Sequence, residues 1–412
     1  MAQINITLNQ AEILQLLSND KDEAFRELLQ KSLNSVLQAE SAEQLNAEPY
    51  ERTIVRTDSR NGVRERSLKT RIGTLTLNVP RHRNHPFKSM IFENYSRSEA
   101  ALIATMTEMV VNGISTRKVA KVVETLCGNS FSKSTVSDLC RDLDGAVEEF
   151  RNRPLQDAYP FLNVDATYFK VRENGHTVSK ALLVAMAYNR DSKREIIGFE
   201  VCDTESNETW RGFLQRLKDR GLSGLKMITS DAHKGIIYAI SKVFPEVPWQ
   251  RCQFHFSRNI LEDVPKKYQK GLASELTDMF NSTTLEEARS KRDSILDEYR
   301  DVAERAMNKL DNGFESAMTV MVLPESIRRF FRTSNSIERM NRELKRRSNV
   351  IGIFPNQQSV LRLMGSILIQ LNEGYANRHP AVIGKKKWSA IEACTPKLAK
   401  IAREQQQLLL AA

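Results

Sequence analysis

No stretch of this sequence is long and apolar enough to form a membrane-spanning helix. The longest uninterrupted apolar run, Ala181 to Tyr188, has eight residues, whereas a membrane helix needs roughly 20. The first residues, MAQINITLNQ, also lack the basic start and the continuous apolar segment of a signal peptide. We therefore expect a cytoplasmic protein that makes no use of a membrane.

Other patterns are missing as well. The sequence has no internal repeat, no low-complexity segment and no Gly-rich phosphate loop of the G-x-x-x-x-G-K type. We therefore expect no nucleotide cofactor. The five cysteines are odd in number and scattered along the chain, which favours reduced thiols over a disulfide framework.

Basic residues are in excess, and they are clustered. The chain has 61 Lys and Arg against 51 Asp and Glu, a net charge of +10, which favours a polyanionic partner such as nucleic acid. Residues 56–88 contain nine basic residues and two acids, and residues 328–347 contain eight and two. Because an even coat of charge would not produce such clusters, we interpret both as candidate DNA-binding surfaces.

The N-terminal third mixes helical and strand patterns. Residues 7–46 carry apolar side chains at three-to-four spacing, which predicts helices. The segment RNGVRERSLKTRIGTLTLNVPRHR predicts a β-hairpin, with a turn at Asn61-Gly62, alternating apolar residues at 75, 77 and 79, and an end at Pro80. Helical patterning resumes near residue 98 and continues to about residue 150.

From about residue 160 the pattern changes to short strands and helices. Three strands are predicted first, by FLNVDATYFKV, KALLVAMAY and EIIGFEVCD. They are followed by a predicted helix (TWRGFLQRLKDRGL), a strand (GLKMITSD), a second helix (AHKGIIYAISKVFP) and a last strand (VPWQRCQFH). This is the element order of an α/β ribonuclease-H-like core, a mixed sheet flanked by helices. Residues 256 to about 325 are helical and charged and interrupt that core, and a basic helix follows from about Ser334.

Three acidic residues fall on elements of the predicted core. Asp165 lies in the first strand-like run, Asp231 ends the fourth, and Glu338 lies on the basic helix. Carboxylates brought together in this way repel one another unless divalent cations share them. Two cations about 3.5–4 Å apart activate a water or a DNA 3′-hydroxyl, and hard oxygen ligands suit Mg²⁺. We therefore predict a catalytic and metal-binding triad that takes two Mg²⁺ ions, with Mn²⁺ as a substitute.

Each acid also has an ordinary structural interpretation. Asp231 precedes a helix and would serve as its N-cap. Glu338 lies four residues before Arg342 and would form a surface ion pair with it. The catalytic interpretation depends on all three residues falling on the topologically suitable elements.

Four sequence blocks carry a family resemblance. SDAHKGIIYAISKVFPEVPWQRCQFHF contains Asp231, Gly235, Arg251, Cys252 and His255 at the spacing of a family signature. NVDATYFKVR and TSNSIERMNRELKRR are similar to the blocks with the family's first Asp and last Glu, and RNGVRERSLKTRIGTLTLNVPRHR looks like its N-terminal block. On these blocks the chain resembles the Mutator-type transposases of bacterial insertion sequences, over about residues 50–380.

The resemblance implies the fold, the three-carboxylate chemistry and a bacterial, DNA-associated protein. It also implies an all-helical insertion between Asp231 and Glu338, and their separation of 107 residues fits one. Patterns and resemblance together predict these segments: a helical segment at 1–50, a basic hairpin region at 51–97, a helix-turn-helix domain at 98–152, the core at 153–255 and 326–380, the insertion at 256–325, and a helical tail at 381–412.

The pair Cys252-x-x-His255 has half of the spacing of a zinc site, but no second pair follows it. Because the family shares this pair, we expect a structural role at the root of the insertion, with His255 near the DNA phosphate and zinc below stoichiometry. Trp249 is expected to be a core aromatic; alternatively it would stack on an unpaired base.

Residues 113–143 predict a helix-turn-helix, with Ser132 beginning the second helix; an ordinary helical hairpin would show the same pattern. The predicted DNA contacts are Arg60, Arg64, Arg66, Lys69, Arg71, Arg81 and Arg83 in the hairpin region, Lys133, Ser134, Thr135, Ser137 and Arg141 in the helix-turn-helix, and Arg339, Arg342, Lys345 and Arg346 on the Glu338 helix. Such residues would contact phosphates and base edges.

The sequence therefore predicts a DNA transposase. It would bind the terminal inverted repeats of its element, nick them by metal-dependent hydrolysis and join the 3′-hydroxyl ends to target DNA. Cutting two ends in concert implies at least a homodimer when assembled on double-stranded DNA. The alternatives are a DNA-binding regulator derived from a transposase, and a ribonuclease-H-like nuclease without strand transfer.

Overall fold

In the computed structural model the chain forms two compact units, residues 1–142 and 143–412. The structure describes residues 21–411 apart from 52, 71, 90–99, 128–130, 157, 190, 192 and 377–384. The helix predicted before residue 21 therefore lies outside the described residues. None of the helices in the described ranges is long and apolar enough to cross a membrane.

In the described part of the first unit, the first element is a helix packed on a two-stranded sheet. Helix α1 (Lys21–Leu45) is followed by β1 (Arg60–Thr70) and β2 (Gly73–His82), which pair antiparallel. Leu37 of α1 is buried with Leu75 and Leu77 of β2, whose alternation directs every second side chain toward the helix. The helix is therefore part of the hairpin's core.

The hairpin turns at a different place from the predicted one. Thr70 pairs with Gly73, so the chain reverses there, while Asn61-Gly62 lies inside β1. Gly62 has a positive φ of 74° at an irregularity between Arg60 and Val63, where glycine avoids the strain that a side chain would add. The predicted end at Pro80 is also wrong, because β2 continues to His82. A two-stranded sheet has only edge strands, which tolerate proline.

A second cluster in this unit contains three helices. They are α2 (Ala100–Val111), α3 (Thr116–Cys127) and α4 (Lys133–Leu139). Met106, Val119 and Val136, one from each helix, are completely buried together. Ser132 caps α4 by accepting a hydrogen bond from the Thr135 amide at 3.0 Å, so α4 starts where the Ser132 signal predicts.

The second unit is built on a five-stranded mixed sheet in the order β5-β4-β3-β6-β7. The strands are β3 (Phe161–Glu173), β4 (His176–Tyr188), β5 (Arg194–Cys202), β6 (Met227–Ser230) and β7 (Trp249–Arg251). The first three are antiparallel, and β6 and β7 run parallel to β3. The order of strands and helices agrees with the prediction, except that the last strand stops at Arg251 and the chain then becomes helical.

Helices cover both faces of the sheet. Helix α6 (Asn207–Asp219) connects β5 to β6, and helix α7 (Lys234–Val243) connects β6 to β7. Both helices pack with Leu162, Val164 and Ile197 in one core. The opposite face, which carries Phe161, is covered by residues of later helices. The remaining helices of this unit are α5 (Leu143–Asn152), α8 (Gln253–Leu261), α9 (Lys266–Phe280), α10 (Leu285–Tyr299), α11 (Glu304–Ala317), α12 (Glu325–Phe331), α13 (Asn335–Ser348), α14 (Gln357–Ala376), α15 (Lys385–Ala393) and α16 (Thr395–Ala411).

Helix α5 belongs to the second unit, so the boundary lies ten residues before the predicted one at 152/153. Arg362 of α14 holds Asp144 with two hydrogen bonds of 2.7 Å each. A Cβ at Gly365 would lie 2.7 Å from Val147, so the missing side chain lets the two helices approach closely. This contact ties α5 to the sheet unit.

Helices α8 to α11 enclose a core of their own, which includes Phe256, Leu272, Leu296 and Phe314. The helical character of this segment agrees with the predicted insertion. Helices α15 and α16 contribute Ile391 and Leu398 to the core beneath Phe161. The C-terminal segment is helical, as predicted, but it is a packed part of the second unit.

Candidate active site

The parallel strands align two of the predicted carboxylates at one edge of the sheet. Asn163 of β3 pairs with Thr229 of β6, so Asp165 and Asp231 each lie two residues beyond this pair. Adjacent strands are about 4.8 Å apart, and the carboxyl ends of strands are where α/β sheets place their sites. Burial is the main cause that raises the pKa of Asp165, and the charge of Asp231 acts in the same direction, in agreement with this placement.

Asp165 is buried, with 9% of its surface exposed. It lies on the same face of β3 as Phe161, opposite Leu162 and Val164, because strand side chains alternate. Burial raises its pKa to about 7; the charges of Asp231 and Glu338 act in the same direction, against His255. Asn341 Nδ2 donates a hydrogen bond of 3.0 Å to Asp165 Oδ2, which fixes the carboxyl's orientation.

Glu338 reaches the site from the first turn of α13. The segment before this helix is held across the ends of β6 and β7, where Thr229 Oγ1 donates to the Phe331 carbonyl at 2.9 Å and the Gln253 amide donates to the Arg332 carbonyl at 3.0 Å. Burial raises the pKa of Glu338, against His255 and a hydrogen bond from Ser334. Three chain segments thus bring the carboxylates of Asp165, Asp231 and Glu338 within electrostatic range of one another.

The ordinary interpretations of these acids do not describe the structure. The N-cap of α7 is His233, whose amide donates to Asp231 Oδ1 at 3.2 Å. Among the described residues, the cationic group within 4.0 Å of Glu338 is His255, not Arg342.

Cys252 and His255 lie at the start of α8, directly beside the carboxylates. The Cys252 amide donates to the Ser230 carbonyl at 2.7 Å, and its Sγ lies 3.2 Å from Ser334 Oγ. Ligand atoms of Cys252, His255 and Glu338 lie within 4.8 Å of one another. The sequence offered two zinc-type ligands; the fold adds Glu338 as a third.

His255 faces this cluster with its imidazole. The adjacent Cys252 side chain raises the pKa of His255 to about 9, with the carboxylates of Asp165 and Glu338 acting in the same direction and burial opposing them. Its Nδ1 is buried without a hydrogen-bond partner among the described residues. A cationic imidazole here is suited to an anion that approaches the carboxylates.

Trp249 is partly buried and borders the same region. Its Nε1 donates to Ser230 Oγ at 2.9 Å, and its backbone amide donates to Gln405 Oε1 of α16 at 2.8 Å. These contacts agree with the expectation of a core aromatic. Gly235, another signature residue, is needed for packing, because a Cβ there would lie 3.1 Å from the Ser206 backbone.

Some of the predicted DNA contacts of the first unit are exposed, and others are engaged by contacts inside the protein. Arg60 is used inside the protein, since its two terminal nitrogens donate to the Ala47 and Glu48 carbonyls at 2.8 and 3.1 Å. Lys69 lies over the Phe131 ring at 4.4 Å, and Arg66 is partly buried. Arg71 lies outside the described residues. The exposed members of this set are Arg64, Arg81, Arg83, Lys133, Ser134, Thr135, Ser137 and Arg141.

Local contacts engage part of that exposed set. The hydroxyls of Ser134 and Thr135 lie 2.6 and 2.9 Å from Ser132 Oγ, and Arg141 pairs with Asp138 at 3.2 Å. On α13, Arg346 makes two hydrogen bonds of 2.7 Å to Glu343. Arg339, Arg342 and Lys345 of the same helix are exposed.

The basic cluster at 328–347 also has structural duties that its composition did not indicate. Arg328 donates to the Thr283 carbonyl at 2.8 Å, and Arg332 donates to the Phe280 carbonyl at 3.1 Å. These side chains tie α12 to the helical insertion. Arg328 and Arg332 are therefore engaged inside the protein, and most of the exposed members of the cluster are on α13.

Sequence reasoning missed Asn341. It lies three residues after Glu338, on the same face of the helix, and this spacing was the available signal. The sequence marks Arg251 only as a motif residue, whereas in the structure its charge is within range of Asp231.

Comparisons with known proteins identify the family of this chain. The profile of the family described as "Transposase, Mutator family" matches residues 1–378. The chain is 43% identical over 377 residues to the transposase for insertion sequence element IS256 in transposon Tn4001 of Staphylococcus aureus, covering 90% of this chain and 96% of that protein. It is 39% identical to the transposase for ISRM5 of Rhizobium meliloti, covering 88% and 92%, and 33% identical to that for IS1081 of Mycobacterium tuberculosis, covering 92% and 90%. The chain belongs to the Mutator family of transposases.

Proposed function

We propose that this protein is the transposase of an insertion sequence, which nicks the terminal inverted repeats of its element and joins the 3′-hydroxyl ends to target DNA. The observation that carries the proposal is the convergence of Asp165, Asp231 and Glu338 at the carboxyl edge of the sheet. The mixed sheet, its strand order and its flanking helices support a ribonuclease-H-like core for this unit.

The donor set fits divalent cations. The three side chains offer only carboxylate oxygens, the ligands that Mg²⁺ and Mn²⁺ prefer. Burial, with the charges of Asp231 and Glu338 acting in the same direction, raises the pKa of Asp165, and bound cations would relieve the cost of ionising it there. Two Mg²⁺ ions, when bound, would activate the attacking water or 3′-hydroxyl and stabilise the leaving oxygen.

The chain's own residues then have separate duties. Asn341 holds the carboxyl of Asp165 in one orientation through its 3.0 Å hydrogen bond. His255, with its raised pKa, presents a cation to the scissile phosphate beside Glu338. Cys252 and Gln253 fix the start of the segment that carries Glu338, so they act by positioning.

The first unit would recognise the element's ends. Helices α2, α3 and α4 share a small core, and α4 would act as the recognition helix of a helix-turn-helix, with the exposed residues at its start contacting base edges. The exposed arginines of the hairpin would contact phosphates. Concerted cutting of two ends requires a homodimer on DNA.

The decisive experiment is cleavage and joining with the full chain and a duplex carrying the terminal sequence that flanks its coding region. Asp165→Ala, Asp231→Ala and Glu338→Ala should each abolish Mg²⁺-dependent nicking and joining while DNA binding stays within about threefold, because the triad holds metal and not bases. Asp301→Asn, an exposed acid on the insertion, is the control that should keep activity. Near-normal nicking by any triad variant would remove that residue from the site.

The same assay separates the two alternatives. A regulator would bind the ends without nicking them. A nuclease without strand transfer would nick them, yet would form no joined product when supplied with a precleaved 3′ end.

A further inference from the structure

Arg251, the last residue of β7, carries a charge that the chemistry above does not use. Its guanidinium stacks on the Phe256 ring, 4.3 Å from the centroid, and the residue is partly buried. Within the described part of the chain it has neither a hydrogen-bond acceptor nor an ion-pair partner within 4.0 Å. A partly desolvated guanidinium without an acceptor is costly, and an anion would relieve that cost.

The position of this guanidinium is fixed by packing. A Cβ at Gly313 of α11 would lie 2.5 Å from Arg251 Nη1 and 2.4 Å from Phe256 Cε2. The absent side chain therefore lets the helix close over the stacked pair. Burial lowers the pKa of Arg251, and the charge of Asp231 opposes this effect, so the guanidinium lies within electrostatic range of the active site.

Arg251 also lines two cavities, which share Asn312. One, of about 470 Å³, is lined by Ala232, the residue after Asp231, and by Lys234. The other, of about 410 Å³, lies on the insertion and is lined by Arg251, Asp263, Arg305, Asn308, Lys309 and Asn312. Lys309 is neutralised by Asp263 at 2.8 Å, whereas Arg305 has no hydrogen-bond or ion-pair partner among the described residues. The cavity therefore keeps two unpaired guanidinium groups and two amides.

We propose that this cavity binds a backbone phosphate of the DNA next to the cleavage site, with Arg251 and Arg305 as its cationic ligands. The planar guanidinium fork matches phosphate oxygens, and the amides of Asn308 and Asn312 add donors. The proposal rests on the proposed function, because it assigns the DNA path from the carboxylates to the helical insertion. The helical insertion would then bind DNA directly, in addition to packing on the sheet unit.

The test is phosphate interference with the full chain. Duplexes carrying the terminal sequence are made with a neutral methylphosphonate at one position at a time around the cleavage site, and binding is measured at fixed salt. The wild-type protein should lose about ten- to a hundredfold in affinity at one or two positions, as expected for a charge-assisted hydrogen bond. Arg305→Gln should lose a similar factor on unmodified DNA and become insensitive at those same positions.

Two further variants keep the outcome interpretable. Arg300→Gln alters an exposed arginine at the end of α10, outside the cavity lining, and should keep the wild-type interference profile. Arg251→Lys preserves the charge but loses the fork, so it should weaken sensitivity at the same positions without unfolding the chain. Profiles of Arg305→Gln and Arg251→Lys that match wild type would overturn the proposal. This test measures DNA binding and not nicking. A protein that never nicks DNA would therefore refute the proposed function without deciding whether the cavity binds a phosphate.

Discussion

Replacing Asp165 with asparagine should stabilise the metal-free protein above neutral pH. Asp165 is buried, and burial together with neighbouring carboxylates raises its pKa to about 7 from the ordinary 3.8. A carboxyl with a raised folded-state pKa favours folding while it is protonated. This contribution is complete below about pH 4 and is lost as pH rises through about 7. Without divalent cations, the wild-type protein therefore loses stability across this window.

The size of the effect follows from the same shift. A change of about 3 pKa units corresponds to about 4 kcal/mol at 1.36 kcal/mol per unit. Asp165→Asn removes the ionisation and keeps the shape, and the buried Asn341 Oδ1, which has no partner among the described residues, can accept from the new amide. We expect the variant to be about 2–4 kcal/mol more stable than wild type at pH 8. At pH 4.5 the two should be nearly equal.

Thermal unfolding in EDTA, followed by circular dichroism between pH 4.5 and 8.5, measures this difference. At about 2 °C per kcal/mol for a unit of this size, the variant should melt about 4–8 °C higher at pH 8. Excess Mg²⁺ should raise the melting temperature of wild type and change that of the variant little. Asp301→Asn should follow wild type throughout. Equal melting temperatures at pH 8 in EDTA would show that Asp165 is not a buried, charge-crowded carboxyl, and the reasoning would fail.

Three other predictions concern separate parts of the chain. Residues 1–142 alone should bind the terminal DNA with an affinity that falls steeply with salt, and Lys133→Ala should weaken binding more than Lys31→Ala; no binding at low salt would contradict the helix-turn-helix interpretation. Excess Zn²⁺ should inhibit Mg²⁺-dependent nicking, because Cys252, His255 and Glu338 supply three ligand atoms within 4.8 Å, and Cys252→Ser should require more zinc for the same inhibition; equal inhibition of both proteins would exclude this cluster as the zinc site. His255→Ala should reduce strand transfer at least tenfold more than it reduces DNA binding, measured on the same precleaved end, whereas equal losses would indicate a general folding defect.

The sequence predicted the elements well where the signals are local. Alternating and helical patterns predicted the order of strands and helices from β3 to β7, and Ser132 marked the start of α4, since a cap acts within three residues. The errors arose where a local signal has two uses. Asn61-Gly62 suits a hairpin turn, but here the positive φ of Gly62 serves an irregularity inside a strand. The apolar residues after Arg251 suit a strand or a helix, and the fold uses them in a helix.

Long-range contacts could not be predicted from local patterns. Asn341 orients Asp165 across 176 residues of sequence. Arg60, counted as a DNA contact by its charge, is engaged by carbonyls of the segment after α1. The helix α1 itself packs on the hairpin. A DNA-binding fragment that starts at residue 50 would therefore expose the apolar face of β2, and one that starts before α1 would not.

The contacts of Cys252 explain how Glu338 can reach the site of Asp231 although 107 residues separate them in the chain. The insertion leaves the sheet at Cys252, and the chain returns at residues 331–334, where Ser334 donates its amide to Cys252 Sγ at 3.4 Å. Gln250 and Gln253 hold the end of α11 as well, through hydrogen bonds of 2.7 and 2.8 Å to the Ala317 carbonyl. Exit and return are thus fastened to the same short segment, residues 250–253, where β7 ends and α8 begins. The first turn of α13 therefore starts from a fixed place, and the distance between Glu338 and Asp165 depends on this segment rather than on the length of the insertion.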